Sequence, residues 1–208
     1  MKQSPKLPAE TRKSQLIKAA AKVFARKGFD GATTEDISTE AGVTKGALYF
    51  HFKSKEDIFL AVVKDHTDYQ IEKLFQILER DADLERVVDN CIRTSFQLML
   101  KDKRFSFDFW QHASKIPRVR KYMSGVHELA VEKFSDFIRG RSNLKKNEAE
   151  ALVWLVHAVQ DGLLVQMQCY TGGRNQKDII NQIIIMCKLY LRERGRSEGL
   201  IRLLPDKN

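Results

Sequence analysis

Proline is scarce in this sequence. Of four prolines, Pro5, Pro8 and Pro205 lie near the ends and Pro117 is the one in the interior, so long helices are permitted almost everywhere. Cysteine is scarcer still. Cys91, Cys169 and Cys187 are odd in number and far apart, and their spacing matches no zinc site, which reads as reduced thiols in a cytoplasmic protein. No apolar run approaches the roughly 20 residues that cross a bilayer. The opening stretch MKQSPKLPAETRKSQ has no apolar segment of signal-peptide length, so a cytoplasmic, membrane-free location is expected. Phosphate-cradling Gly-rich loops and nucleophile motifs are also missing. The five histidines (His51, His66, His112, His127 and His157) are scattered. His157 and Asp161 share one helix face, but a third ligand at suitable spacing is lacking, and no metal, cofactor or enzymatic activity is expected.

What is present is an ordinary globular composition, 43% hydrophobic and 30% charged. The net charge of +9 is concentrated at the start. Residues 1–55 hold 11 Lys or Arg against 5 Asp or Glu, and the remainder holds 25 against 22. A basic head on a nearly balanced body suits a polyanion, because phosphate contacts dominate nucleic-acid affinity. A solvated basic surface fits charge alone equally well.

Helical spacing recurs along the chain. Leu16, Ile17, Ala20, Val23 and Phe24 mark one face of a first helix that ends at Gly28. A longer helix starts after Ser54, with Asp57 completing a weaker form of capping box. Another runs over about 85–100, and residues 119–139 follow Pro117. The segment FSFDFW (105–110) alternates like a strand, yet has no partner strand and is assigned to helix. EAEALVWLVHAVQDGLLVQMQCY and KDIINQIIIMCKLYL, separated by TGGRN, are apolar around much of their circumference, so they bury more than one side.

The informative stretch is TTEDISTEAGVTKGALYFHFKSKEDIF, residues 33–59. Thr33 can cap a short helix that turns Ile37 and Ala41 inward, with Asp36 favourable in its first turn. Gly42 ends that helix where positive φ is cheap, and Val43 anchors the turn. Thr44 caps a second short helix from Lys45 to about His51. Two short helices joined by a tight turn make a helix-turn-helix. In the second, Leu48 and Phe52 face inward while Lys45, Gly46 and Tyr49 lie near the N-terminus. A helix-interior glycine costs about 1 kcal/mol relative to alanine, which is explicable if the backbone approaches DNA there. Seven residues span roughly 10 Å, short enough for a major groove about 12 Å wide. Lys55 begins the next helix, where free N–H groups favour a phosphate.

These residues closely resemble the N-terminal pattern of the TetR family of bacterial repressors. The match runs in order through Thr11-Arg12, Ala19-Ala20, Phe24, Gly28-Phe29, Thr33-Thr34, Ile37, Ala41-Gly42-Val43, Gly46, Leu48-Tyr49, His51-Phe52 and Lys55-Glu56, with Ser38 in place of a usual alanine. The resemblance implies an all-α protein: a three-helix helix-turn-helix DNA-binding module over 1–53, then a helical-bundle domain for ligand binding and dimerisation over 54–208. The main dimer helices would lie at about 147–170 and 175–194. It implies that Thr44, Lys45, Gly46 and Tyr49 face the groove, and that Thr33, Thr34, His51 and Lys55 contact phosphates or backbone. Lys53 joins them on charge grounds alone. Each has a plainer reading: Thr33 as a cap, Tyr49 and His51 as partly core, Lys45 and Lys55 as surface charges.

The implied partners are double-stranded operator DNA, a second copy of the chain, and an unknown small hydrophobic effector. Phe96, Met99, Phe105, Phe109, Trp110, Trp154, His157, Gln160 and Met167 are the expected cavity lining, although aromatics and methionines at helical spacing are more often core. A ligand-responsive repressor is the favoured reading. The alternatives are a ligand-independent architectural DNA-binding protein and an activator.

Overall fold

The structure is a computed structural model that describes residues 8–101, 109, 111, 112, 115–169 and 175–196. Among the described residues every regular element is helical. In chain order these are α1 (Ala9–Gly31), α2 (Thr34–Glu40), α3 (Lys45–His51), α4 (Lys55–Arg80), α5 (Leu84–Lys101), α6 (Pro117–Arg139), α7 (Lys146–Cys169) and α8 (Gln176–Arg196). Within FSFDFW, Phe109 is described and is helical, while the rest of that assignment, Phe105 and Trp110 included, lies outside the described residues.

Chain packing defines two units, Met1–Glu72 with Leu98–Val126, and Lys73–Gln97 with His127–Asn208. In the first unit, α1 buries the stripe Leu16, Ala19, Ala20, Val23 and Phe24. The predicted stop at Gly28 is a break rather than an end. Gly28 adopts φ 74°, ψ 169°, and helix resumes to Gly31. That left-handed φ is cheap only for glycine, and it turns Phe29 inward, 4.7 Å from the Phe59 ring and 5.9 Å from Phe24. Ile37, Leu48, Phe52, Ile58 and Val62 complete the core.

Described residues between 109 and 123 contribute to the same core. Ile116 and Val119 are buried in it, and Phe109 packs against it. His112 is 4% exposed, lies 4.9 Å from the Phe29 ring, and sets Nε2 3.1 Å from Asp30 Oδ2. Arg118 pairs with Asp57. The module expected over 1–53 lies inside this larger packing unit.

Helix α6 begins on Pro117 of the first unit, whose missing N–H is harmless in a first helical turn, and continues into the second unit. Buried Ala130, Ile138, Leu152, Leu164, Ile184 and Leu191 supply its interior. Ion pairs fix α8 against α5, with Lys188 Nζ 2.9 Å from Asp89 Oδ2 and Arg192 Nε 2.5 Å from Glu85 Oε1.

Candidate nucleic-acid interface

The geometry of the helix-turn-helix follows from short-range chemistry. Thr33 Oγ1 accepts from the Asp36 amide at 3.1 Å, and Asp36 Oδ2 accepts from the Thr33 amide at 3.0 Å. This reciprocal capping box satisfies two otherwise orphaned donors of α2. Lys27 Nζ adds a 2.6 Å contact to Asp36. The hydrogen bond from Lys27, followed by those from Thr33, holds the Asp36 carboxyl down at about 2.

At the other end of α2, the Gly42 amide donates to Thr39 O and the Val43 amide to Ser38 O, both at 3.0 Å. That pair of bonds is the Schellman arrangement, and Gly42 supplies the required positive φ of 64°. Gln15 Nε2 donates to Ala41 O at 2.8 Å, tying α1 to the turn. Ser38 is buried without a lost hydrogen bond, because its hydroxyl reaches Thr34 O and Glu35 O, each at 3.0 Å.

Thr44 then caps α3, with Oγ1 accepting from the Ala47 amide at 3.2 Å. Leu48 and Phe52 anchor the helix, at 0% and 5% exposure. The opposite side faces solvent. Thr44, Lys45, Gly46 and Tyr49 are all exposed, as are Thr33 and Lys53, while Thr34 and His51 are half-buried. Tyr49 is oriented by a 3.3 Å contact between its hydroxyl and Thr34 Oγ1. Lys45 and Lys53 make no ion pair among the described residues, whereas Glu40 and Asp36 are paired with Lys22, Arg26 and Lys27 of α1.

An ideal Cβ built on Gly46 would meet only Thr44 Oγ1, at 4.0 Å. Among the described residues nothing requires a glycine there.

Two features were not legible in the sequence. Lys55, read as a phosphate contact, has its ammonium engaged by the carbonyls that close α1: Phe29 O at 2.9 Å, Ala32 O at 3.0 Å and Asp30 O at 3.4 Å. It also lies 4.5 Å from the Phe29 ring centre. An ammonium has three donors, and this one uses all of them structurally. Phe50, not singled out from sequence, is 81% exposed and rests edge-on against His51. Its signal was positional. One turn after Gly46, it stands opposite the Leu48–Phe52 line.

Of the nine residues expected to line an effector cavity, Phe105 and Trp110 lie outside the described residues, and the other seven sit in different surroundings. Phe96 and Met99 are core side chains, Phe109 belongs to the core of the first unit, and Trp154 is 49% exposed. Gln160 donates to Ser95 O at 3.2 Å, and Met167 Sδ lies 3.5 Å from Gln176 Nε2. Among the described seven, His157 lines a cavity of the second unit, whose wall is drawn from α4 to α8 and includes Leu74, Val87, Phe134, Val153 and Cys187. The reason is rotational. Aromatic content marks a helix as buried somewhere but does not say which face meets a void.

Comparison with known proteins agrees with this geometry. The sequence model for bacterial regulatory proteins of the tetR family matches residues 16–62. The HTH-type transcriptional activator FasR of Mycolicibacterium smegmatis is 28% identical over 148 residues, 71% of this chain and 68% of that protein. The HTH-type transcriptional repressor KstR2 of the same organism is 40% identical over 76 residues, 36% of this chain and 37% of that protein. A crystal structure of a transcriptional regulator from Rhodococcus sp. Rha1 superposes with a TM-score of 0.76 at 21% identity, covering 89% of this chain and 98% of that one. All three are regulators of transcription, the first two of HTH type. Over residues 16–62 the chain is similar to regulators of the tetR family.

Proposed function

We propose that this regulator is a ligand-responsive repressor that binds a palindromic operator as a homodimer and releases it when a small hydrophobic effector binds. The observation that carries the reading is α3: a short helix anchored by Leu48 and Phe52 that turns Lys45, Gly46, Tyr49 and Phe50 to solvent. Thr44, Lys45, Gly46 and Tyr49 read the groove, and Thr33, Thr34, His51 and Lys53 hold phosphates. Lys55 acts indirectly, by fixing the end of α1. The functional division falls near residue 53, with 54–208 carrying effector binding and dimerisation. The protein works in the cytoplasm, on the nucleoid.

The dimer reading rests on α7 and α8. Leu155 and Val165 on α7, and Ile185, Met186 and Leu189 on α8, are between 46% and 65% exposed. Leu155, Ala158, Gly162 and Val165 recur at helical spacing on one stripe, all exposed. A Cβ added at Gly162 would meet nothing within 4 Å. Contiguous apolar surface of this kind is uncommon on a lone subunit, and two copies of such a helix pair make a four-helix bundle with two-fold symmetry. One chain supplies one recognition helix, and successive major grooves lie about 34 Å apart, so two chains are needed.

Release requires an effector that prefers the DNA-incompetent form, because only differential affinity shifts the equilibrium. An activator role is favoured by one observation, the likeness to FasR.

The test is fluorescence anisotropy with the DNA immediately upstream of the reading frame. Selective binding is expected, with affinity falling as salt rises. Phosphate contacts numbering six to ten would lose roughly 10³–10⁵ in affinity between about 50 and 200 mM salt. Weak, sequence-indifferent binding to that and all other genomic fragments would remove the repressor reading.

A further inference from the structure

The most exposed large apolar side chain among the described residues is Phe50, at 81%. A lone exposed apolar group is common on protein surfaces, but the placement of this one is particular. Leu48 and Phe52 are the buried anchors of α3, and Phe50 stands two residues from each. At about 100° per residue it lies nearly opposite both, at the outermost point of the helix. Among the described residues its ring meets only His51, edge-on with centroids 5.1 Å apart. Around it, Thr44, Lys45, Tyr49, His51 and Lys53 each carry a side-chain atom that hydrogen-bonds. Phe50 carries none.

A helix seated in a major groove turns its flanks to the phosphate walls and its outermost residue to the floor. That floor presents hydrogen-bonding base edges and one apolar group, the 5-methyl of thymine. A phenyl ring pairs with no phosphate, and pressed against a polar base edge it leaves that edge without a partner. Gly46, one turn before Phe50, adds no side chain to hold the helix off the floor. We propose that Phe50 is a specificity-determining residue that packs on the 5-methyl group of a thymine in each operator half-site. The inference rests on the reading of α3 as the recognition helix and adds what that helix selects. Two-fold symmetry puts the same contact in both half-sites. Removing one methyl from a buried apolar contact weakens binding roughly fourfold, and two independent losses multiply to roughly sixteenfold.

The duplex that the wild type recovers from a randomised pool supplies the probe. Its symmetry-related thymines are replaced, one pair at a time, by deoxyuridine, which removes the methyl and keeps the base pairing. Fluorescence anisotropy then compares the wild type, Phe50→Ala and Phe50→Leu. At one thymine pair or more the wild type is expected to lose about fivefold or more in affinity. Phe50→Ala is expected to lose less than about twofold, and Phe50→Leu, which keeps an apolar reach, to fall between. The side chain is exposed, so thermal melts of both variants are expected to match the wild type. Comparison across variants cancels any effect of deoxyuridine on the duplex itself. A recovered repeat with no fixed thymine, equal wild-type affinity for every substituted duplex, or the same loss in Phe50→Ala as in the wild type would overturn the inference. If Lys45→Ala still loses the recovered sequence in those cases, α3 reads DNA and only the thymine contact falls. Recovery of no sequence by the wild type removes both.

Discussion

If α3 is the recognition helix, Gly46 separates the demands of folding from those of binding. A glycine inside a helix costs about 1 kcal/mol against alanine, yet the nearest atom to an added Cβ is 4.0 Å away. Gly46→Ala is therefore expected to stabilise the protein in a denaturant melt while weakening operator binding at least tenfold. Stabilisation with unchanged binding would show that the α3 backbone does not approach DNA at this point. His157 makes a second residue-scale prediction. Its folded pKa, about 4, lies below the ordinary histidine value of 6.5. The unfolded chain therefore binds the proton first as pH falls. Stability tied to the neutral ring is present above about pH 6.5 and is lost as pH falls toward 4. His127 is shifted in the same direction by burial. His157→Leu is expected to flatten the fall in melting temperature between pH 6.5 and 4, and an unchanged slope would show that the ring titrates freely.

At the scale of elements, legibility followed range. The Thr33 cap and the turn at Gly42 are short-range, so the sequence displayed them, although not the reciprocal bond from the Thr33 amide to Asp36 that completes a capping box. The break at Gly28 was half legible: a stop signal was visible, but not that Phe29 would be drawn in by Phe59, thirty positions on. Lys55 was read through the macrodipole of its own helix, whereas its ammonium closes α1 through contacts 23 to 26 residues away. The cavity wall was the least legible part, because five helices must first be assembled before any face of them borders a void. Gly42 gives the element-scale prediction. At φ 64° a non-glycine residue is strained by about 1 kcal/mol or more. Gly42→Ala should lower stability by that order in chemical denaturation and lower operator affinity with it, since the turn sets the angle of α3. Loss of neither would mean that the turn tolerates the strain.

For the molecule as a whole, the proposed dimer assigns DNA binding to the basic N-terminal residues and subunit joining to the apolar surface of α7 and α8. Placing charge on that surface tests the joining without touching the head. Met186→Glu combined with Leu189→Glu is expected to give a folded monomer by sedimentation, with helical content retained and operator affinity reduced at least a hundredfold. A variant that stays dimeric would place the subunit interface elsewhere.

The claim on which all of this depends is that α3 reads DNA. Selection of bound fragments from randomised duplexes, run in parallel on the wild type, Lys45→Ala and Tyr49→Ala, tests it most directly. The wild type is expected to recover an inverted repeat, with both variants losing its enrichment at unchanged fold and dimer state. Recovery of the same repeat, equally enriched, by both variants would contradict the assignment of α3 as the recognition helix.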